Sequence, residues 1–254
     1  MSTRGPVGVG LIGAGNISGQ YLRSLTSFPD LKVHIVGDLD TDRARAQADE
    51  YSVPRSGTAA DVLAHDDVEI VVNLTLPAAH ADVSSRALSA GKHVWSEKPL
   101  AIDRDSAHSV LDQAATAGLR VGVAPDTVLG PAVQTARRAL ARGDIGRPLS
   151  AQTVMQYAGP DAWHPSPEFL FAKGAGPLFD MGPYYITTLL NLFGPASASP
   201  PWVPPVARCG PYAPATGPGR ASTSRCPRTS PRLSSSPPGV SARASSASTL
   251  RSHA

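Results

Sequence analysis

Cysteine is nearly absent from this chain. Its 254 residues hold two, Cys209 and Cys226, and none in the first 194. That excludes a disulfide framework and a thiolate metal site from most of the sequence, and it suits a reducing cytoplasm. Long apolar runs are also missing. No 18-residue apolar stretch occurs, so no membrane-spanning helix is expected. The start Met1-Ser2-Thr3-Arg4-Gly5-Pro6 leads into no long apolar h-region, so no secretory signal is expected. Acidic residues vanish after Pro195: from there to Ala254 there are seven Arg and no Lys, Asp or Glu. The formal charge of +3 therefore misdescribes the body, which holds 16 basic and 20 acidic residues before Pro195. A mildly acidic body gives no reason to expect nucleic-acid binding.

The same tail, residues 195–254, holds 12 Pro among many Ser, Ala and Arg, with no apolar period. Such a composition buries too little surface to offset its chain entropy, so residues 196–254 are expected to be disordered. A natural tail of this kind would meet acidic partners through its Arg. An out-of-frame reading of a GC-rich gene would give the same Pro, Arg, Ala, Ser and Gly with few acids and almost no Lys. The abrupt switch directly after a well-formed helix favours that second origin.

What is present, up to about residue 123, is a regular alternation of strand and helix patterns. Val7–Ile12 and Leu31–Gly37 are apolar strands, and Asp40 is a plausible N-cap for a helix over Thr41–Tyr51. Glu69–Leu76 reads as a buried strand, and Pro77 fits the first turn of a helix ending at Gly91. His93–Ser96 is a short strand. Asp103 caps a helix that Gly118 stops, and Arg120–Val123 is another strand. This alternation predicts an α/β fold with a parallel, doubly wound sheet covered on both faces. A second region begins near Pro125. It offers a helix over Pro131–Arg142, a strand over Ser150–Tyr157 and a helix over Pro183–Phe193, with Ile186, Leu189, Leu190 and Phe193 on one face. Without a partner sheet that last helix would expose Leu189, Leu190 and Phe193.

The strongest motif lies between the first strand and helix. Gly13-Ala14-Gly15-Asn16-Ile17-Ser18 follows a strand and opens a helix, and Asp38 ends the next strand 20 residues after Ser18. Glycines let the backbone turn tightly and approach a pyrophosphate, which rests on the helix N-terminus. Gly13, Gly15, Asn16 and Ile17 are the candidate phosphate contacts. Asp38 would accept the adenosine ribose hydroxyls and repel a 2′-phosphate, which favours NAD over NADP. No Arg directly follows Asp38; Arg43 is a helix turn away. Thr75 and His80, at the carboxyl end of the third long strand, are candidates to face the cofactor, or else a loop hydroxyl and a helix-surface imidazole.

Lys98 is the principal catalytic candidate. It follows a strand and precedes Pro99, in Glu97-Lys98-Pro99. An ammonium beside a cationic ring would have a lowered pKa, which suits proton transfer from a hydroxyl. A second cluster holds Trp163, His164, Asp180, Tyr184 and Tyr185. These groups would hold a polyhydroxyl substrate; the plainer reading makes Asp180 the N-cap of the last helix and the tyrosines core or interface residues. No metal site is expected.

Taken together, GLIGAGNIS, VVNLTLPAAH, AGKHVWSEKPLA and GAGPLFDMGPYYITTLL, in that order, resemble the Gfo/Idh/MocA oxidoreductases over residues 5–195. The resemblance implies a Rossmann domain over residues 5–124 and the start of an open-sheet α/β substrate domain over residues 125–195. It implies hydride transfer between NAD(P) and a sugar or cyclitol carbon. By position, Lys98 matches the lysine of the Glu-Lys-Pro motif, Glu97 would lie near the nicotinamide ribose, and Asp180 matches the acid of an Asp-x-Gly-x-His motif. Tyr184 stands where that motif has histidine. The family's oligomer-forming sheet has no counterpart in this sequence, so a nucleotide-binding but inactive protein is the alternative expectation.

Overall fold

In the computed structural model the described residues are 5–156, 158–162, 164, 167–172, 174–195 and 249–250. Six parallel strands make one sheet: β1 (Val7–Ile12), β2 (Leu31–Gly37), β3 (Arg55–Gly57), β4 (Ile70–Asn73), β5 (His93–Ser96) and β6 (Val121–Val123). Their spatial order is β3-β2-β1-β4-β5-β6. The chain therefore starts in the middle, winds to one edge, then crosses back and winds to the other. Between β1 and β4 the winding reverses, and the carboxyl ends of the strands part there into a crevice.

The helices cover both faces. α1 (Ser18–Leu25) and α2 (Thr41–Glu50) lie on one side, while α3 (Ala59–Ala64), α4 (His80–Ser89) and α5 (Arg104–Ala117) lie on the other. Two buried clusters result. Val9, Leu11, Leu22, Val33, Val36, Ala44 and Val72 belong to the first, and Ile12, Ile35, Val62, Val71, Leu88, Val94 and Val110 to the second. Neighbours such as Val71 and Val72 part to opposite clusters, as side chains alternating across a strand must. Asp40 caps α2 by accepting the Arg43 N–H, and Asp103 caps α5 by accepting the Ser106 N–H. Thr58 and Asp61 form a reciprocal capping box on α3.

The strand expected over Glu69–Leu76 is shorter, Ile70–Asn73, because Leu74–Leu76 turns out of the sheet. Pro77–Ala79 forms a 3₁₀ turn before α4. In the second region α6 (Pro131–Arg142) ends on Gly143 in the left-handed conformation. The strand expected over Ser150–Tyr157 is reduced to β7 (Ala151–Gln152), paired antiparallel with β8 (Thr249–Leu250); Tyr157 lies outside the described residues. Apart from β8, the expected disorder over 196–254 also falls outside them. α7 (Pro177–Asp180) and α8 (Gly182–Phe193) follow one another. α8 packs against α6 and the Thr127–Leu129 turn. Leu189 is consequently buried, contrary to expectation, while Leu190 stays exposed. No helix among the described residues is long and apolar enough to cross a membrane.

Candidate active site

The glycine loop leaves β1 at the crevice. Gly13 sits at φ +106°, and a Cβ there would stand 2.6 Å from the Leu74 carbonyl, so only glycine fits. A Cβ on Gly15 would meet nothing within 4 Å, so this stretch of backbone faces open space. Ile17 occupies the N-cap of α1 and supplies no side-chain cap. Backbone donors and the positive end of the helix dipole therefore face the crevice. Ser18 is fully buried, and its hydroxyl donates to the Gly15 carbonyl at 2.7 Å, which closes the loop onto the helix.

Asp38 is buried at the end of β2. Its Oδ2 accepts the Ala14 N–H at 2.6 Å, and its Oδ1 accepts the Asp40 N–H at 2.9 Å and the Arg43 guanidinium at 2.6 Å. Burial works to raise its pKa, but these three donors outweigh it and hold the carboxyl below the usual range. Asp38 thus braces the glycine loop itself. Arg43, half exposed, partly neutralises it.

The loop after β4 is clamped by Asn73, which is fully buried. Asn73 Nδ2 donates to the His80 carbonyl and to Ser84 Oγ, while its Oδ1 accepts the Thr75 hydroxyl at 2.7 Å. His80 is not the helix-surface imidazole of the plainer reading. Its ring is buried, with Nδ1 2.6 Å from the Pro99 carbonyl and Nε2 2.8 Å from the Thr75 carbonyl. Both ring nitrogens lie against carbonyl oxygens, so His80 sits between the β4 loop and the β5 loop. The sheet's parallel order forces that juxtaposition, which no local pattern shows.

At the end of β5, Glu97 Oε1 accepts the Tyr21 hydroxyl at 2.7 Å, and Glu97 Oε2 accepts the Lys98 N–H at 2.9 Å. Burial pushes the Tyr21 hydroxyl well above its ordinary pKa, so it remains a donor. Tyr21 was not foreseen: it sits on α1, 76 positions from its partner. Lys98 Nζ donates to Asp180 Oδ1 at 2.6 Å, both side chains being mostly shielded, and stands 5.5 Å over the Tyr184 ring. Burial raises the Tyr184 pKa, with the Lys98 charge opposing. Asp180 ends α7 and does not cap α8, whose N-cap is Met181, so the plainer reading of this acid fails. Tyr185 is half buried and points about 100° around α8 from Tyr184. His164 packs edge-on against Phe169, with ring centroids 5.2 Å apart. Trp163 lies outside the described residues.

Residues 7–124 match the model of an oxidoreductase family with an NAD-binding Rossmann fold, Gfo/Idh/MocA, and residues 133–199 match that family's C-terminal domain. The chain belongs to the Gfo/Idh/MocA family. Among its relatives, an uncharacterized oxidoreductase of Rhizobium meliloti is 31% identical over 190 residues, covering 72% of this chain and 55% of the relative. Inositol 2-dehydrogenase of Salmonella typhimurium is 30% identical over 164 residues, covering 60% and 49%. A 3-ketoreductase of Actinomadura kijaniata, solved with NADP and TDP-benzene, superposes with a TM-score of 0.66 at 28% identity, covering 74% of this chain and 58% of that one. The chain thus spans about half the length of these Gfo/Idh/MocA relatives.

Proposed function

We propose that this chain serves an NAD(P)-dependent oxidoreductase that transfers a hydride between nicotinamide and a carbinol carbon of a sugar or cyclitol. The observation that carries the reading is the Lys98–Asp180 pair at 2.6 Å under Tyr184, at the carboxyl end of the sheet. The inositol 2-dehydrogenase relative supports the substrate class.

The residues fit a dinucleotide. The space beyond Gly15 and the uncapped start of α1 suit a pyrophosphate, held by Gly13, Gly15, Asn16 and Ile17. Asp38 would accept the adenosine ribose hydroxyls, and Thr75 and Glu97 would lie near the nicotinamide end. Hydride exchange with the substrate carbon is the chemistry a bound nicotinamide supplies. In the reducing direction the Lys98 ammonium donates a proton to the substrate oxygen; in the oxidising direction the amine receives it. Asp180 fixes the lysine's orientation. The Tyr184 phenol stays protonated and donates a hydrogen bond to the substrate.

Asp38 favours NAD over NADP, and Arg43 moderates that preference by pairing with it. We place the activity in the cytoplasm, on the cysteine-free body. The test is Lys98→Ala. Turnover with cyclitol or sugar panels should fall by about 10²–10⁴-fold in kcat while NADH binding persists. Near-normal turnover would move the role to Tyr184, Tyr185 or His164. NADH binding without turnover in the unaltered chain would favour the nucleotide-binding, inactive reading.

A further inference from the structure

We propose that His34, His65 and Asp67 form a binding site for a borderline divalent metal ion, zinc being the probe of choice, at the end of the sheet away from the dinucleotide crevice. His34 lies on β2 four residues before Asp38, about 13 Å along the strand. Its position comes from a break in the ladder. Val9 pairs with Val33, but Gly10 pairs with Ile35, so His34 is an extra residue on β2. The break sends Val33 and Ile35 to opposite cores, although residues two apart on a regular strand share a face. Such bulges re-aim a side chain and are rare between parallel strands. Here His34 is turned toward the segment that follows α3.

That segment carries the other two ligands and is firmly held. Lys92 is buried, and its ammonium donates to the His65 carbonyl and the Val68 carbonyl, each at 2.8 Å. One cation therefore pins both ends of the four-residue turn. A site needs its ligands on such a prepared platform.

The rings of His34 and His65 stand 5.3 Å apart, and His34 Nδ1 lies 4.0 Å from Asp67 Oδ2. One ligand atom from each of the three falls within 4.8 Å of the others. Tetrahedral zinc with bonds of about 2.0–2.1 Å spaces its ligand atoms about 3.4 Å apart. Asp67 is mostly exposed and free to rotate, and small turns of the two rings with it would close the difference. His65 Nδ1 accepts a long bond from the Asp67 N–H at 3.3 Å, so it bears a lone pair, which a cation would take in preference. Two imidazoles and one carboxylate suit zinc, nickel or copper better than magnesium or calcium. His65 and Asp67 also line a cavity of about 690 Å³, with Arg55, Asp61 and Asp66. That opening leaves room for water at the remaining coordination position. Lys32 and Arg55 oppose a cation near His34, and Asp66 and Asp67 offset them.

The full chain, equilibrated with zinc and dialysed, should retain one ion, with a nitrogen and oxygen shell at about 2.0–2.1 Å by X-ray absorption. Zinc should raise its unfolding temperature by mass action. His34→Gln and Asp67→Asn should each weaken zinc binding by about tenfold or more. Asp67→Asn, at an exposed position, should leave folding and NADH binding unchanged, and it decides the matter if His34→Gln fails to fold. Three results would overturn the proposal. They are no saturable zinc binding, a sulfur shell near 2.3 Å that points to Cys209 and Cys226, or unchanged affinity in Asp67→Asn.

Discussion

Residues 5–124 and residues 125–195 treat their apolar side chains in opposite ways. Of the buried apolar residues among those described, 24 lie in the first region; Val128, Leu170 and Leu189 come from the second. Among the described large apolar residues left exposed, the first region supplies five and the second nine, including Leu129, Ile145, Leu149, Leu178 and Leu190. The first region closes two cores of its own around one sheet. The second presents helices whose apolar faces meet little among the described residues: α6 buries none of its 12. The proposed dinucleotide site therefore rests on a self-sufficient frame, whereas Asp180 and Tyr184 rest on a frame with few buried apolar residues. Stability and catalysis should thus respond to different substitutions.

The largest expected effect breaks the first region. Leu22 is fully buried on α1 against β1 and β2. Leu22→Ala should cost about 2–5 kcal/mol, read from urea denaturation of the purified chain. Because α1 also carries the crevice backbone and Tyr21, NADH affinity should fall with it. A loss under about 1 kcal/mol would mean that the first region's packing is looser than it stands here.

Next in size is the cofactor pair. Arg43 screens Asp38, so Arg43→Ala should sharpen the preference for NADH over NADPH, by about tenfold or less. Asp38→Ala should narrow the preference instead. Fluorescence titration with both dinucleotides checks the two signs. Tighter NADPH binding in Arg43→Ala would remove Arg43 from the specificity argument.

Asp38 also links this region to pH. Its folded pKa lies below its unfolded value, so it contributes stability above about pH 4. That contribution is lost as pH falls through the lower, folded value. The stability gap between the parent chain and Asp38→Asn should be steady near neutrality and shrink in acid. A gap that widens below pH 4 would contradict the hydrogen-bond pattern at this carboxylate.

Much of the first region was legible because its signals are local. Asp40, Asp103 and Gly118 act within a helix turn, and the apolar runs of β2 and β5 stand in the sequence as they stand in the sheet. The stretch holding β3 and α3 went unassigned: a three-residue strand and a six-residue helix show too little periodicity, although Thr58 and Asp61 spell a capping box. The candidate site was legible only through combined motifs. Lys98 meets Asp180 across 82 positions, and Tyr21 meets Glu97 across 76, distances at which periodicity says nothing. The burial of His80 was not legible because its ring meets backbone carbonyls, which no sequence displays. The strand over Ser150–Tyr157 is shorter over its described part because strands are made by partners, and among the described residues of that span only Ala151–Gln152 is paired.

The smallest expected effect on stability lies in the second region, and it tests the comparison from the other side. Leu178 on α7 and Leu190 on α8 are exposed. Exposed apolar groups lose little when replaced, since they gained little on folding, so Leu178→Gln and Leu190→Gln should each shift stability by about 0.5 kcal/mol or less. Their effect should appear instead in solution behaviour. Contiguous exposed apolar surface drives association, so the parent chain should aggregate readily and the double variant less, as read by light scattering at matched concentration. Tyr184 stays in place on α8, so NADH binding should be untouched. If Leu190→Gln cost as much as Leu22→Ala, the second region would have a core of its own, and the division between the two regions would fall.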